Sequence, residues 1–273
     1  SVITRCPRIL GSDSVRSAVV LKNTDRFCLD GQRLLLTIGS TYGASGTEYR
    51  TERESFSKVI ATGGDNGGTG SYSGPTSFTV KTKAGLTLDF GVTTDARILA
   101  PGTPAVLVWA LNKVTDIKGN YLTVSYASSP ADGSVYPSQI DYSGNAATGK
   151  SPGMSVRFSY APRTDTRHYY VGGALIQVSQ RLINVKTYLG PTTLVKDYRL
   201  GYVSNSNLAN STLSTITECI DASTCLAAKT FEHINVTNAL GVGTVSSGTI
   251  DFGSGAIWKD SNGDGLADFC RSD

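Results

Sequence analysis

Charge is scarce in this sequence. Asp, Glu, Lys and Arg make up 17% of its 273 residues, whereas about 25% is usual for soluble domains. The formal net charge is only +3, and the basic residues stand singly, which excludes a nucleic-acid interface built on a basic run. No stretch approaches the ~18 consecutive apolar residues of a membrane-spanning helix, so none is predicted.

Methionine is almost absent, and the chain does not begin with one. It opens with "SVITRCPR", and its only methionine is Met154. We therefore expect a processed or excised piece of a longer polypeptide. The lack of a leader carries no information about where the parent protein is located.

Catalytic motifs are also missing. Only His168 and His233 are available as imidazole bases, and neither a G-x-S-x-G nucleophile motif nor a G-x-x-x-x-G-K-[ST] phosphate loop occurs. His168 lies close to Asp165, but a polar loop or hairpin is the commoner meaning of "TDTRHYY". We expect no catalytic residues and no enzymatic activity.

The nearest approach to a catalytic pattern is "EYRTERE". On one strand, Glu48, Glu52 and Glu54 would share a face, and paired carboxylates can cleave glycosidic bonds. A solvated strand face of alternating charge is the commoner meaning and is favoured here. A polysaccharide-cleaving enzyme is the minor alternative.

Cysteines are few and odd in number: Cys6, Cys28, Cys219, Cys225 and Cys270. Cys219 and Cys225 flank the turn-like "IDAST" between two strand-like runs. They either form a disulfide across a hairpin or are two half-buried thiols. No C-x2-C spacing occurs, so a zinc site is not expected.

Alternation of apolar and polar residues dominates what is present. Ser77–Lys83, 121–126 and 155–160 alternate with period two, which predicts strands with one buried and one wetter face. The segment Leu175–Leu189 is rich in Val, Ile and Thr and favours a long strand over a helix. The prediction is a large all-β domain of antiparallel hairpins and meanders in several sheets, with roughly 12 to 18 strands.

A change of composition divides the chain near residue 233. Residues 1–233 are predicted to be one β-rich domain. Residues 234–273 begin with the Gly-rich "VTNALGVGTVSSG" and are predicted to be a linker followed by the start of a second unit.

That second unit contains a candidate calcium loop in "KDSNGDGLADFC". Its ligands would be Asp260, Asn262, Asp264, the backbone carbonyl of Leu266, and Asp268, because calcium prefers six to eight oxygens that a tight loop can aim inward. An EF-hand is disfavoured, since its twelfth position would be Arg271. An Asx-rich turn that binds nothing is the alternative.

Several longer motifs occur in an order that periodicity alone would not generate. In this order the sequence resembles the SpvB-type amino-terminal domain of bacterial Rhs and toxin-complex proteins, over roughly residues 1–232. The motifs are "ITRCPR", "DRFCLDGQRL", "EYRTERESFSKV", "VWALNKVTDIKGNYLTVSY", "YPSQIDYSGN", "YVGGALIQVSQRLINVKTY", "LVKDYRLGY" and "LSTITEC".

The resemblance implies a function. Such regions belong to large secreted proteins and form part of a β-sheet shell around a toxic carboxy-terminal polypeptide, often followed by FG-GAP or VCBS repeats of a β-propeller with calcium loops. The implied partners are the rest of the same polypeptide and other toxin-complex subunits. The alternative is a secreted, calcium-steadied adhesin or carbohydrate-binding domain that uses Tyr42, Tyr72 or Trp258 to stack on sugars.

Overall fold

The computed structural model describes residues 1–64, 74–127, 131–205 and 210–233, and the backbone of residues 256–259 and 268–271. The described chain falls into two units, Ser1–His233 and Ile234–Asp273. Almost every regular element in it is a strand, and the only helix among these residues has four residues. The elements are β1 (Val2–Cys6), α1 (Leu10–Asp13), β2 (Arg26–Leu29), β3 (Gln32–Ile38), β4 (Glu48–Thr51), β5 (Lys58–Thr62), β6 (Ser77–Lys81), β7 (Thr87–Phe90), β8 (Arg97–Leu99), β9 (Val106–Thr115), β10 (Asn120–Ala127), β11 (Tyr136–Asn145), β12 (Met154–Val171), β13 (Ala174–Leu189), β14 (Thr193–Asn205), β15 (Asn210–Cys219), β16 (Lys229–Thr230), β17 (Ala256–Lys259) and β18 (Asp268–Arg271).

The first unit is built on a closed barrel. Strands β1 to β7 pair in sequence order, β7 pairs with β9, and β9 returns to β1, which closes an antiparallel barrel of eight strands. Closure pairs each of the eight strands with a neighbour on both sides over at least part of its length, which shortens the exposed edges that an open sheet would leave. The predicted antiparallel all-β fold is confirmed.

Aromatic side chains fill the barrel. Trp109 is completely buried and its ring packs edge-on against Phe27 and Phe78, with centroid distances of 5.3 and 5.2 Å. Its indole N–H donates to the carbonyl of Pro75 at 3.0 Å, so the ring is buried without leaving its polar atom unpaired. Trp109 lies opposite Ile3 of β1, so this core sits where the barrel closes.

A second part of the sheet leaves the barrel at β9. The carboxyl-terminal half of β9 pairs with β10, and β10 to β16 follow in order as an antiparallel meander, here called the extension. The long hairpin of β12 and β13 dominates it. The predicted strand over Leu175–Leu189 is confirmed within β13, where β-branched residues suit a pleated backbone.

The alternation rule succeeds in the barrel and fails in part of the extension. In β6, Phe78 and Val80 are buried as predicted. In β12, however, Ser155 is buried and Val156 is only half-buried, contrary to the predicted faces. The barrel has one dry interior, whereas half-buried residues occur on both faces of β12, so the alternation of polarity does not by itself decide burial there.

Strands β17 and β18 of the second unit form an antiparallel pair, with Lys259 opposite Asp268. The predicted start of a propeller repeat is not tested by this pair alone.

Candidate functional site: the apolar face of the extension

One row of side chains runs from the barrel interior onto the extension. Cross-strand register connects Tyr49, Val59, Val80, Leu88, Val114 and Leu122 in that order. Tyr49, Val59 and Val80 are at most 2% exposed, whereas the last three are half-buried. The inner surface of the barrel therefore becomes an open, apolar surface where the sheet leaves the barrel.

The same face continues across the extension. Val124, Ile140 and Val156 lie opposite one another on β10, β11 and β12, and Phe158 lies opposite Val185 on β13. All five are half-buried. Within the described residues, the strands of the extension contact mainly their hydrogen-bonded neighbours. An apolar sheet face of this kind is typical of a surface that contacts another polypeptide.

The opposite face is polar and carries paired cations and aromatic rings. Lys113 lies 4.8 Å from the ring centre of Tyr121, and the guanidinium of Arg157 lies 4.0 Å from that of Tyr188. Cation–π contacts of this kind stabilise exposed sheets modestly, by ~0.5–1 kcal/mol each. The extension is therefore two-sided, with one face of polar and charged side chains and one apolar face.

Tyrosine hydroxyls connect the strands. Tyr126 donates to the carbonyl of Leu111 at 2.5 Å, and Tyr202 donates to that of Leu182 at 2.6 Å. Burial, followed by the nearby charge of Asp95, raises the pKa of Tyr126 to about 12. The hydroxyl therefore stays protonated and remains a donor.

A buried carboxylate network joins the start of β11 to β13. Asp132 accepts hydrogen bonds from the hydroxyls of Tyr136 at 2.9 Å and Ser179 at 2.5 Å, while its backbone carbonyl accepts from the N–H of Gln177 at 2.7 Å. Burial, together with the bond to Asp132, raises the pKa of Tyr136. Satisfied buried networks of this kind make an arrangement rigid.

The turn of the long hairpin packs back on the barrel. Ala174 and Ile176, just after the turn, are buried against Leu21 and Ala105. Gly172 has a φ of +58°, and a Cβ there would lie 2.6 Å from Leu21. Only glycine suits both the left-handed backbone and the close approach.

A carboxylate connects two strands that are not neighbours at the far end of the extension. Asp165 of β12 binds both Arg163 and the backbone N–H and hydroxyl of Ser211 in β15, three strands away along the sheet. The bonds from Arg163, with those from Ser211, hold the pKa of Asp165 well below its usual range. Asp165, which is close to His168 in the sequence, is thus bound to Arg163 and Ser211 in a structural role.

Two motifs that carry the family resemblance meet at the barrel closure. Cys6 of "ITRCPR" forms a disulfide with Cys28 of "DRFCLDGQRL" across β1 and β2. The sequence reasoning missed this pair. Arg5 and Asp25, from the same motifs, form an ion pair at 3.2 Å with both side chains at most 2% exposed.

The other cysteine pair closes a short loop. Cys219 and Cys225 are joined by a disulfide. Inside the loop, the carboxylate of Asp221 accepts from the backbone N–H groups of Thr224 and Ser223, which lower its pKa to about 2.

The carboxylates proposed to share a strand face do not do so. Strand β4 ends at Thr51, so Glu52 and Glu54 lie in the following loop, where Glu54 accepts from the N–H of Phe56. Glu48 pairs with Lys58 at 2.6 Å. The prediction of a single strand through Glu54 was wrong because the β3–β4 ladder ends where the N–H of Glu52 donates to the carbonyl of Arg33, and the residues that follow form a loop.

The remaining predicted residues separate into two groups. Tyr42 is not a free stacking surface, because its ring packs on Phe27 and lies 4.5 Å from the guanidinium of Arg26, and its hydroxyl donates to the carbonyl of Leu34. Outside the described residues, or described by backbone alone, are Tyr72, Trp258, Asp260, Asn262, Asp264, Leu266 and Asp268.

The structure therefore defines an antiparallel barrel with a two-sided sheet extension, and comparisons with known proteins place this fold. No family model and no curated protein sequence matches the chain. Among solved structures, the N-terminal domain of effector protein SpvB from Salmonella typhimurium strain LT2 matches with a TM-score of 0.62 and 16% identity, over 85% of this chain and 87% of that one.

Toxin-complex structures match as well. A Photorhabdus luminescens Tc holotoxin pore gives a TM-score of 0.60, and a TcdB2–TccC3 crystal structure gives 0.58, both at 18% identity over 80% of this chain. The chain spans 13% of the length of those chains. The predicted SpvB-like resemblance is confirmed at the level of the fold.

Proposed function

We propose that this chain is a non-catalytic structural segment of a large secreted bacterial protein of the Rhs or toxin-complex kind. Its role is to contribute to a β-sheet shell that encloses or presents a toxic carboxy-terminal polypeptide. Its partners are the remainder of the same polypeptide and other toxin-complex subunits.

The observation that carries the proposal is the continuity of the apolar row from the barrel onto the extension. A shell needs a rigid wall with one face turned to solvent and another turned to polypeptide. The polar face with its cation–π pairs suits the first role, and the row containing Val156 and Phe158 suits the second. The likeness of fold to SpvB and Tc components supports the same conclusion. No helix in the described residues has the length and apolarity needed to cross a bilayer.

The test compares the two faces of one strand. Because the apolar face lacks its partner, the isolated chain is expected to self-associate in size-exclusion chromatography with light scattering. Phe158→Lys should reduce this association. Ser159→Lys is the matched control, because Ser159 is exposed on the opposite face of the same strand. A chain that is monomeric at all concentrations, or equal behaviour of the two variants, contradicts the proposal.

A second measurement is the intact mass of the native protein taken from its source. The proposal requires a mass far above that of these 273 residues. A native protein of this size would favour the adhesin alternative instead.

Calcium binding is part of the same proposal. The β17–β18 pairing sets Lys259 opposite Asp268, which brings the two ends of the acidic segment together, and carboxylate, amide and carbonyl oxygens are the donors that calcium prefers. Calorimetric titration with calcium chloride should show binding that Asp264→Asn weakens, with magnesium as the competing ion. An absence of heat with the unaltered chain would refute this part.

A further inference from the structure

A groove beside β2 and β3 is lined by three arginines, two of which bind one aspartate. Its volume is about 660 Å³, within the usual range for ligand sites. Arg8, Arg26, Arg33 and Asp13 line it, together with Asn23 and Thr41. Three guanidinium groups against one carboxylate leave two positive charges in the groove.

The groove is preorganised. Asp13 accepts from Arg26 at 2.5 Å and Arg33 at 3.3 Å, and its side chain is only 4% exposed. Burial opposes ionisation, yet the bonds from the Ile9 N–H and from Arg26 hold the pKa of Asp13 below its ordinary value. The Asp13 carboxylate thus shows that the groove can bind a carboxylate between two guanidinium groups.

Arg8 differs from the other two arginines. Its backbone pairs with Ser17, but its guanidinium has no hydrogen-bond acceptor among the residues that the structure describes. An arginine fork matches a carboxylate through two parallel hydrogen bonds. Arg8 is therefore available to a second carboxylate, one that comes from outside.

The wall of the groove is an unpaired strand edge. Strand β3 pairs with β2 only through Gln32 and Arg33, while Leu34 to Ile38 pair with β4 alone. The carbonyl of Leu34 points to the groove side, where Tyr42 binds it. By the alternation of an antiparallel strand, Leu36 presents its N–H and carbonyl to the same side.

We propose that this groove binds an extended acidic peptide segment of a partner protein. The peptide would add a strand to the free edge of β3 at Leu36, and one of its carboxylates would pair with Arg8. The exposed side chain of Leu35 on the groove wall, 37% exposed, offers an apolar contact to the alternate residues of the peptide.

The test uses fluorescence anisotropy with a short labelled peptide that alternates Glu and Val. Arg8→Ala should weaken binding at least about tenfold, the loss expected for a charged hydrogen bond. Arg167→Ala is the matched control, because it removes the same charge from an exposed position of β12 and should leave binding unchanged. Circular dichroism of both variants confirms folding.

Four results would overturn the proposal. Equal binding of a peptide with Gln in place of Glu would remove the role of charge. Equal weakening of peptide binding by Arg8→Ala and Arg167→Ala would show that the loss reflects the net charge of the protein and not a contact with Arg8. Displacement of the peptide by free glutamate at similar concentration, or full binding of a peptide N-methylated at alternate residues, would remove the role of the strand edge.

Discussion

The buried Arg5–Asp25 pair provides a sharp test of what holds the barrel closed. Asp25 accepts from Arg5 at 3.2 Å and from the backbone N–H groups of Val20 at 2.9 Å and Lys22 at 3.2 Å. Arg5 also donates to the carbonyl of Val106 at 2.7 Å. Asp25→Asn keeps the shape and one acceptor oxygen but removes the negative charge.

The expected cost follows from burial. Desolvation lowers the pKa of Arg5, and the charge of Asp25 opposes that effect. Without Asp25, the guanidinium stays charged at 1% exposure with no counter-ion, which costs about 3–5 kcal/mol. With a urea m-value of about 3 kcal/mol per molar, the midpoint should fall by about 1–2 M.

Urea unfolding followed by circular dichroism measures this loss, and the exposed Asp30→Asn is the control. A double-mutant cycle isolates the charge, because Asp25→Asn should cost less than about 1.5 kcal/mol once Arg5→Met has removed the cation. A cost below about 1 kcal/mol in the native background, or the same cost in both backgrounds, would refute the reasoning.

Three further changes test other parts of the structure. Gly91 has a φ of +68°, and a Cβ there would lie 2.5 Å from Trp109, so Gly91→Ala should lower stability in thermal unfolding by roughly 2–5 kcal/mol. Gly102→Ala is the control, because Gly102 has a φ of +75° but open space around it, and it should cost only ~1–2 kcal/mol. Equal losses in the two variants would show that the clash with Trp109 is irrelevant. Cys219→Ser/Cys225→Ser should lower stability in urea by about 2 kcal/mol from loop entropy, and no loss would show that this loop is held by its hydrogen bonds alone. Since burial raises the pKa of Tyr126 from 10.0 to about 12, the unfolded chain loses this proton first, and stability should fall as pH rises from 10 to 12; Tyr126→Phe should flatten that fall, and an unchanged alkaline profile would contradict it.

Local patterns predicted the strands well and the irregular segments poorly. Phe78 and Val80 alternate in sequence and in burial because a closed barrel has one dry interior. The charged residues after Thr51 continue the alternation in the sequence, but strand β4 ends at Thr51. Periodicity describes side chains, whereas a strand ends where its backbone stops pairing with the neighbouring strand.

Pairings between distant segments are the part that sequence could not supply. Cys6 and Cys28 are 22 residues apart, and no local spacing indicates that they meet. The arginine groove was missed for the same reason, since Arg8 and Arg26 come together only because β1 and β2 are neighbours and α1 folds beside them.

Residue order and the two-residue period of a strand were enough to predict the all-β class, the long strand at Leu175–Leu189 and the resemblance to SpvB-type domains. Tertiary structure alone decided that β9 closes a barrel and then starts an open sheet, since one strand serves both through different halves of its length. The two-sided character of the extension follows from that choice. Its apolar face is the barrel interior continued, and an interior exists only after the strands have closed.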